Sequence, residues 1–362
     1  MKVAFWGEFR SFDYHHIGGT DSIARRLSLS LVKQGIIVDF IHFNCSQELT
    51  SHTSEGIGIY HFTSLSAALR FMAGRYNHVV TIYVPPKQRF DWIRFRQRES
   101  HRTRFHLIYF GYAERWLKQT LGFAEARLAP YNGTIFSVSP RLYNSVSKWA
   151  KLSALLLPPV PENYFLNLAQ KPKSDRLRVT FMGRIDPGKG VTVAIELFRY
   201  LTQAAPEIQT RICGYPWKHK PETMQLHQEL LTQNTITYEP TEFKGYSQDV
   251  DQSVRSILRD TDVLFLPYKK LSSTIDTPLL LLEGMAHLCA VVTRPLGDLP
   301  SIYGTDTWML SDFLDRKASL QLFRQLHKHL DEERSRLATQ CSNLRFRVAE
   351  SATDLITSLE KD

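Results

Sequence analysis

The chain has 362 residues, 43% of them hydrophobic and 12% aromatic, and a formal net charge of +9. Such a composition excludes a disordered protein, and the length exceeds one ordinary core, so two domains are expected. No apolar run reaches the roughly 18 residues that span a bilayer, and the scattered Cys45, Cys213, Cys289 and Cys341 argue against a disulfide framework or a zinc site.

In chain order, Val3–Trp6 reads as the first strand, because Met1–Trp6 is too short for a signal peptide. Further strands are expected at Ile36–Phe43, His78–Val84, Phe105–Phe110 and Thr134–Val138. Helical patterns lie between them: Asp21–Gln34 repeats Ile23, Leu27 and Leu31, and Ala113–Ala129 repeats Trp116, Leu117, Leu121 and Ala124. A proline-rich break runs from Leu157-Pro158-Pro159-Val160-Pro161 to Lys171-Pro172-Lys173 and reads as a linker. The series then restarts with strands at Leu177–Met182, Thr210–Cys213, Asp262–Leu266 and Ala290–Thr293. Helices are expected near Val191–Thr202, Glu222–Thr232, Val250–Arg259 and Pro278–Leu288, and only helices after residue 312, ending with Phe346–Leu359.

This alternation predicts an α/β protein with parallel sheets covered on both faces. Two series imply two Rossmann-like halves, since a single barrel gives no reason for the break. The expected domains are 1–160 and 176–340, joined by a linker over 161–175 and followed by a terminal helical segment over 341–362.

The densest chemistry lies in Gly183-Arg184-Ile185-Asp186-Pro187-Gly188-Lys189-Gly190, between an apolar strand and a helix. Glycines let backbone approach a ligand, free N–H groups at a helix start attract anions, and Arg184 and Lys189 add positive charge. A turn of that kind suits a diphosphate. Gly18-Gly19-Thr20-Asp21 forms a lesser counterpart in the first half, with Thr20 or Asp21 as helix cap. A third constellation, Asp276-Thr277-Pro278-Leu279 leading to Glu283, places a carboxylate in an otherwise apolar helix. Such a carboxylate needs a partner, either sugar hydroxyls or a local cation. Gly214-Tyr215-Pro216 and Tyr238-Glu239, at strand ends, are candidates for the base side of a nucleotide.

Taken together these segments resemble the family-four glycosyltransferases, nucleotide-sugar enzymes of the GT-B fold. The likeness runs through Gly18-Gly19, Ser137-Val138-Ser139, Gly183–Gly190, Asp262–Pro267, Leu281–Ala286, Ala290–Thr293 and Gly297–Ile302. It implies two Rossmann-like domains facing across a deep cleft, with the C-terminal helix returning to the N-terminal domain. It also implies that Arg184 and Lys189 clamp the donor diphosphate, that Glu283 holds the ribose, and that Gly18-Gly19 faces the phosphates. Gly183, Gly214, Tyr215, Tyr238, Asp276, Thr277, Pro278 and Leu279 complete the expected donor site. The sequence departs from the family twice. Ile275, with Asp276 beside it, stands where a second Glu is usual, and Phe110 stands where a His before a glycine is usual. Asp276, His106 and His16, or the neighbouring His15, are the candidates to compensate.

The resemblance implies a retaining hexosyl transfer in which the departing phosphate takes the acceptor proton, with no metal and no cofactor. The clamp requires that Arg184 and Lys189 not be consumed by internal ion pairs. Asp260-Thr261-Asp262, a superficial metal motif, reads as a solvated turn. The donor is expected to be UDP- or GDP-linked and the acceptor a glycan, a lipid-linked species or a small metabolite. Between Lys87 and Lys118 nine basic residues face three acidic ones, interleaved with Phe90, Trp92, Ile93, Phe95 and Phe105. That mixture suits an anionic membrane surface as well as a solvated amphipathic element, and no nucleic-acid module accompanies it. The expected location is the cytoplasm, at the inner face of the membrane if the basic stretch docks there, and the Asn132-Gly133-Thr134 sequon is then incidental. The alternative function is a weakened, glycosyltransferase-like protein that binds nucleotide sugar or supports a partner enzyme.

Overall fold

The computed structural model describes residues 1–111, 129–216, 220–241, 245–271 and 274–360. The helix expected over Ala113–Ala129 lies outside the described residues apart from its last position. The chain forms two compact units: Met1–Pro161 with Phe346–Asp362, and Glu162–Arg345.

The first unit is built on an eight-stranded sheet in the order β3-β4-β2-β1-β5-β6-β7-β8. The strands are β1 (Lys2–Glu8), β2 (Ile37–Phe43), β3 (Leu49–His52), β4 (Gly58–His61), β5 (His78–Tyr83), β6 (Arg104–Tyr109), β7 (Ile135–Ser137) and β8 (Ser153–Leu155). All pairs are parallel except β3 with β4. Central β1 is buried from Val3 to Trp6, as a strand covered on both faces must be. Helices α1 (Gly19–Lys33), α2 (Leu65–Met72), α3 (Arg89–Glu99) and α4 (Pro140–Val146) cover it. In α1 the buried Ile23, Leu27 and Leu31 fall on one face at helical spacing. Ser64 and Ser139 cap α2 and α4, each accepting a backbone N–H at 3.2 Å. From β1 the chain runs to β2 and later crosses to β5 on the other side. The carboxyl ends of β1 and β5 therefore mark a switch point, where open α/β sheets bind ligands.

The aromatic residues of the basic stretch are packed inside. Trp92 and Phe95 of α3 join Phe105 and Trp6 in the core, with the Trp6 and Trp92 rings 5.3 Å apart. Arg96, also buried, lies over the Tyr131 ring at 3.8 Å. Of the rings read as reaching an acyl boundary, Phe90 alone is exposed, at 63%. The aromatic half of the membrane reading is thereby overturned: Trp92 and Phe95 sit at helical spacing on α3, and Phe105 lies within β6. Asn132 is likewise structural, since its side chain accepts from Phe105 N–H and donates to the Ser100 and Thr103 carbonyls.

The second unit holds a fully parallel sheet in the order β11-β10-β9-β12-β13. Its strands are β9 (Leu177–Ile185), β10 (Ile208–Pro216), β11 (Thr237–Pro240), β12 (Val263–Leu266) and β13 (Ala290–Thr293). Around it lie α5 (Val191–Ala204), α6 (Pro221–Thr232), α7 (Gln248–Arg259), α8 (Leu279–Ala286), α9 (Leu299–Tyr303), α10 (Arg316–Lys328) and α11 (Leu330–Asn343). The terminal helix α12 (Val348–Glu360) belongs to the first unit and packs on α1.

Two sequence expectations change here. Residues 162–175 are part of the second unit rather than a free linker. Tyr164 is buried and donates to Asp251 at 2.6 Å, while buried Lys171 donates to the Leu258 carbonyl at 2.9 Å. Asp262 is no solvated turn residue: it is buried and bridges Arg178 at 2.8 Å and Arg334 at 2.6 Å. All four cysteines are buried free thiols.

Candidate functional site

Strand β9 continues past Met182 and carries Gly183 and Arg184 before a short 3-10 turn, Pro187–Lys189, opens α5. Asp186 caps that turn by accepting the Gly188 N–H at 2.8 Å. Gly190 has φ +84°, and a Cβ there would lie 2.0 Å from the Pro267 carbonyl oxygen. Only glycine fits. Gly183 stands opposite Gly214 and Arg184 opposite Tyr215 in the β9–β10 register. A Cβ on Gly214 would meet the Gly183 carbonyl at 2.3 Å, so these two glycines also allow close backbone contact. With β10 on one side of β9 and β12 on the other, the Gly183–Gly190 turn and Pro267-Tyr268 both lie at the topological switch point of this sheet.

The charges of the turn are arranged around one carboxylate. Arg184 pairs with Asp186 at 3.1 Å, and Lys220 stands 3.7 Å from the same group. Arg184 is thus engaged by an internal ion pair, contrary to the condition set from the sequence. Lys189, by contrast, stands 5.1 Å over the Tyr268 ring. Burial, and then the Arg184 charge, push the Lys189 ammonium down to about 8.

Asp276, Thr277, Pro278 and Leu279 are buried at the head of α8, and Glu283 is 5% exposed within it. Burial raises the Tyr268 phenol, and the Glu283 charge adds to that rise. Thr277 Oγ1 is buried without a hydrogen-bond partner. The Tyr238 hydroxyl is spent inside the unit, 2.6 Å from His227 Nδ1 and 3.3 Å from the Gly214 carbonyl. Neither Lys220 nor Tyr268 was a candidate in the sequence, where each looks like an ordinary loop residue.

In the first unit, Gly18 precedes α1 and a Cβ on it would lie 2.3 Å from Asp21 Oδ2. Asp21 is buried at the head of that helix, where a carboxylate complements the dipole. It accepts the Asp13 N–H at 2.9 Å and meets His16 Nδ1 at 3.2 Å. His16 is therefore an exposed partner of Asp21, and the Gly18-Gly19 turn already carries its own negative charge.

His106 must be withdrawn from the catalytic candidates. It is fully buried in β6, its Nδ1 accepts the Thr134 N–H at 2.9 Å, and its Nε2 meets His78 Nδ1 at 3.1 Å. Burial, followed by the charges of His78 and Arg104, pushes it down to about 3, so it is a neutral core residue. Phe110, at 9% exposure, is also core.

With this geometry in place, residues 176–327 match the family of group 1 glycosyl transferases. The whole chain superimposes on solved GT-B glycosyltransferase structures at low identity. Sucrose-phosphate synthase from Thermosynechococcus elongatus shows a TM-score of 0.75 at 14% identity, covering 100% of this chain and 98% of that one. The Anabaena HepE protein in complex with UDP and glucose shows 0.69 at 11%, covering 100% of both. An Escherichia coli structure titled trehalose-6-phosphate, bound with UDP-2-fluoro glucose, shows 0.65 at 10%, covering 100% of this chain and 99% of that one. No curated protein matches by sequence. The protein thus has the fold of these structures, the two-unit GT-B architecture. The family match falls within its second unit, in keeping with the family-four resemblance read from the sequence. Among the described residues no helix is long and apolar enough to cross a membrane.

Proposed function

We propose that this protein is a retaining glycosyltransferase that moves a hexose-type sugar from a UDP- or GDP-linked donor to a glycan, glycolipid or small-metabolite acceptor. The observation that carries this reading is the glycine-lined turn at the switch point of the second sheet, with Arg184, Lys189 and Lys220 around Asp186. Leaving-group charge develops on a diphosphate, and fixed cations with backbone N–H groups at a helix start stabilise it without a metal at the phosphates. Glu283 is the proposed ribose partner, because its buried carboxylate lies within an otherwise apolar helix and its charge is felt by Tyr268, the ring that Lys189 covers. Asp276, beside Ile275, is the remaining candidate near the donor sugar.

A second reading, binding of nucleotide sugar with little turnover, is favoured by one observation. His106 is locked in the core, so it does not compensate for Phe110. A donor panel separates the two. Release of UDP or GDP, with and without acceptor and without added Mg²⁺ or Mn²⁺, is expected from the wild type. Lys189→Ala is expected to lose about 100- to 1000-fold in turnover while keeping its fold. Tight donor binding without any turnover supports the second reading, and no binding of either nucleotide rejects both.

A further inference from the structure

We propose that Asp13, His42 and His61 bind one divalent transition-metal ion, Zn²⁺ by the chemistry of the donor set, at the carboxyl-end rim of the first unit's sheet. His42 and His61 face each other across the β2–β4 register, and Asp13 lies in the loop that leaves β1. Asp13 Oδ1 is 3.8 Å from His42 Nε2 and 3.9 Å from His61 Nε2, and one ligand atom from each residue falls within 4.8 Å of the others. Two ligands bound at about 2.0–2.2 Å to one ion stand no more than about 4.4 Å apart, so small side-chain movements complete the set.

The orphaned atoms point the same way. His42 is fully buried, and neither of its ring nitrogens makes a well-formed hydrogen bond, although the Phe12 backbone carbonyl lies beside the ring. His61 Nε2 and Asp13 Oδ1 are also buried without one. Each neutral imidazole brings one N–H and one lone pair, but Asp13 Oδ1 stands at 3.8 and 3.9 Å, beyond hydrogen-bond reach, so buried polar atoms stay unsatisfied, which is costly unless something binds there. Imidazole nitrogens with one carboxylate oxygen are the ligands of Zn²⁺ and its neighbours rather than of Mg²⁺ or Ca²⁺. The Phe9 ring stands 5.2 Å from His61, and the Phe12 ring 5.1 Å from His42, giving the apolar surround typical of such centres. A fourth position is left for water.

The ion would fasten the β1–α1 loop to the sheet. Asp13 donates its backbone N–H to Asp21 at the head of α1, beside Gly18, so occupancy also bears on that turn. The site uses no cysteine, so the argument against zinc from the scattered cysteines does not reach it, and it does not depend on the proposed transferase activity.

The test is titration of the full-length, chelator-stripped protein with Zn²⁺ by calorimetry, and with Co²⁺ by visible absorption, together with a thermal melt. One equivalent is expected to bind, raise the melting temperature, and give d–d bands of a nitrogen–oxygen site. Asp13→Asn and His61→Gln are each expected to weaken binding by at least the roughly 10- to 100-fold that outer-shell changes alone cause. His101→Gln, at an exposed histidine, leaves binding unchanged. Circular dichroism checks the fold, and should one variant unfold, the other decides. Absence of stoichiometric binding, or binding retained in a folded Asp13→Asn or His61→Gln protein, overturns the proposal.

Discussion

Gly190 and Pro267 are in backbone contact: the position a Cβ would take on Gly190 is 2.0 Å from the Pro267 carbonyl oxygen. This contact locks the start of α5 to the end of β12 and shapes the turn between them. Gly190→Ala is expected to cost well over about 1 kcal/mol, because both the space and the positive φ are denied to alanine. Gly183→Ala meets only the backbone strain at φ +131°, with nothing within 4 Å of the new Cβ. Urea denaturation of the two variants should rank Gly190→Ala as the less stable, with nucleoside diphosphate binding lost in the same order.

The Arg184–Asp186 pair predicts an unusual gain. Asp186→Asn keeps an oxygen to cap the turn but removes the anion that Arg184 and Lys220 face. Nucleoside diphosphate affinity is expected to rise by about 2- to 5-fold, the scale of a partly exposed ion pair. Arg184→Ala should lower it. Calorimetric titration with UDP and GDP checks both, and a weaker Asp186→Asn protein would show that the pair organises the turn rather than competing with the ligand.

Lys189 sets a pH dependence. With its ammonium held at about 8, the free protein loses this charge as pH rises through that value. Donor affinity is expected to fall above about pH 8, and Lys189→Arg should move the fall to higher pH, because guanidinium stays charged. The stability effect has the opposite sense. The folded state binds fewer protons than the unfolded chain between about 8 and the ordinary lysine value of 10.5, so this group adds stability as pH rises across that window.

His106 and His78 predict sensitivity to acid. Both are held neutral, at about 3 and about 4, against an ordinary value of 6.5. Below that ordinary value the unfolded chain takes up protons that the folded unit refuses. Stability should therefore fall by up to about 1.4 kcal/mol per pH unit for each histidine between pH 6.5 and 4. His106→Gln is expected to shallow that slope in denaturant titrations at pH 7, 6 and 5, whatever it does to stability at neutral pH.

The parallel core was legible because β1, β9, β12 and β13 are apolar runs and α1 and α5 keep helical spacing. Edge elements were not. Leu49–His52 and Gly58–His61 lack an apolar run because β3 is exposed on the sheet edge and pairs antiparallel with β4 alone. The diphosphate turn could be read locally, since its glycines and cations are contiguous. Its countercharge was also contiguous: Asp186 stands two residues after Arg184 in extended backbone, which puts both side chains on one face. His106 looked available because nothing in Phe105–Phe110 announces His78, which lies 28 residues away and pairs with it across the β5–β6 ladder. Asp13, His42 and His61 stayed invisible for the same reason: only the parallel register makes them neighbours.

The buried thiols give the chain its own reporters of local opening. Cys45 sits in the first unit, whereas Cys213, Cys289 and Cys341 sit in the second. Burial pushes the Cys45 thiol up to about 11 and the Cys213 thiol up to about 12, so neither reacts readily while its surroundings stay closed. Pulsed alkylation read by mass spectrometry would therefore time the breathing of each half separately, without an added probe, and with the wild-type sequence untouched.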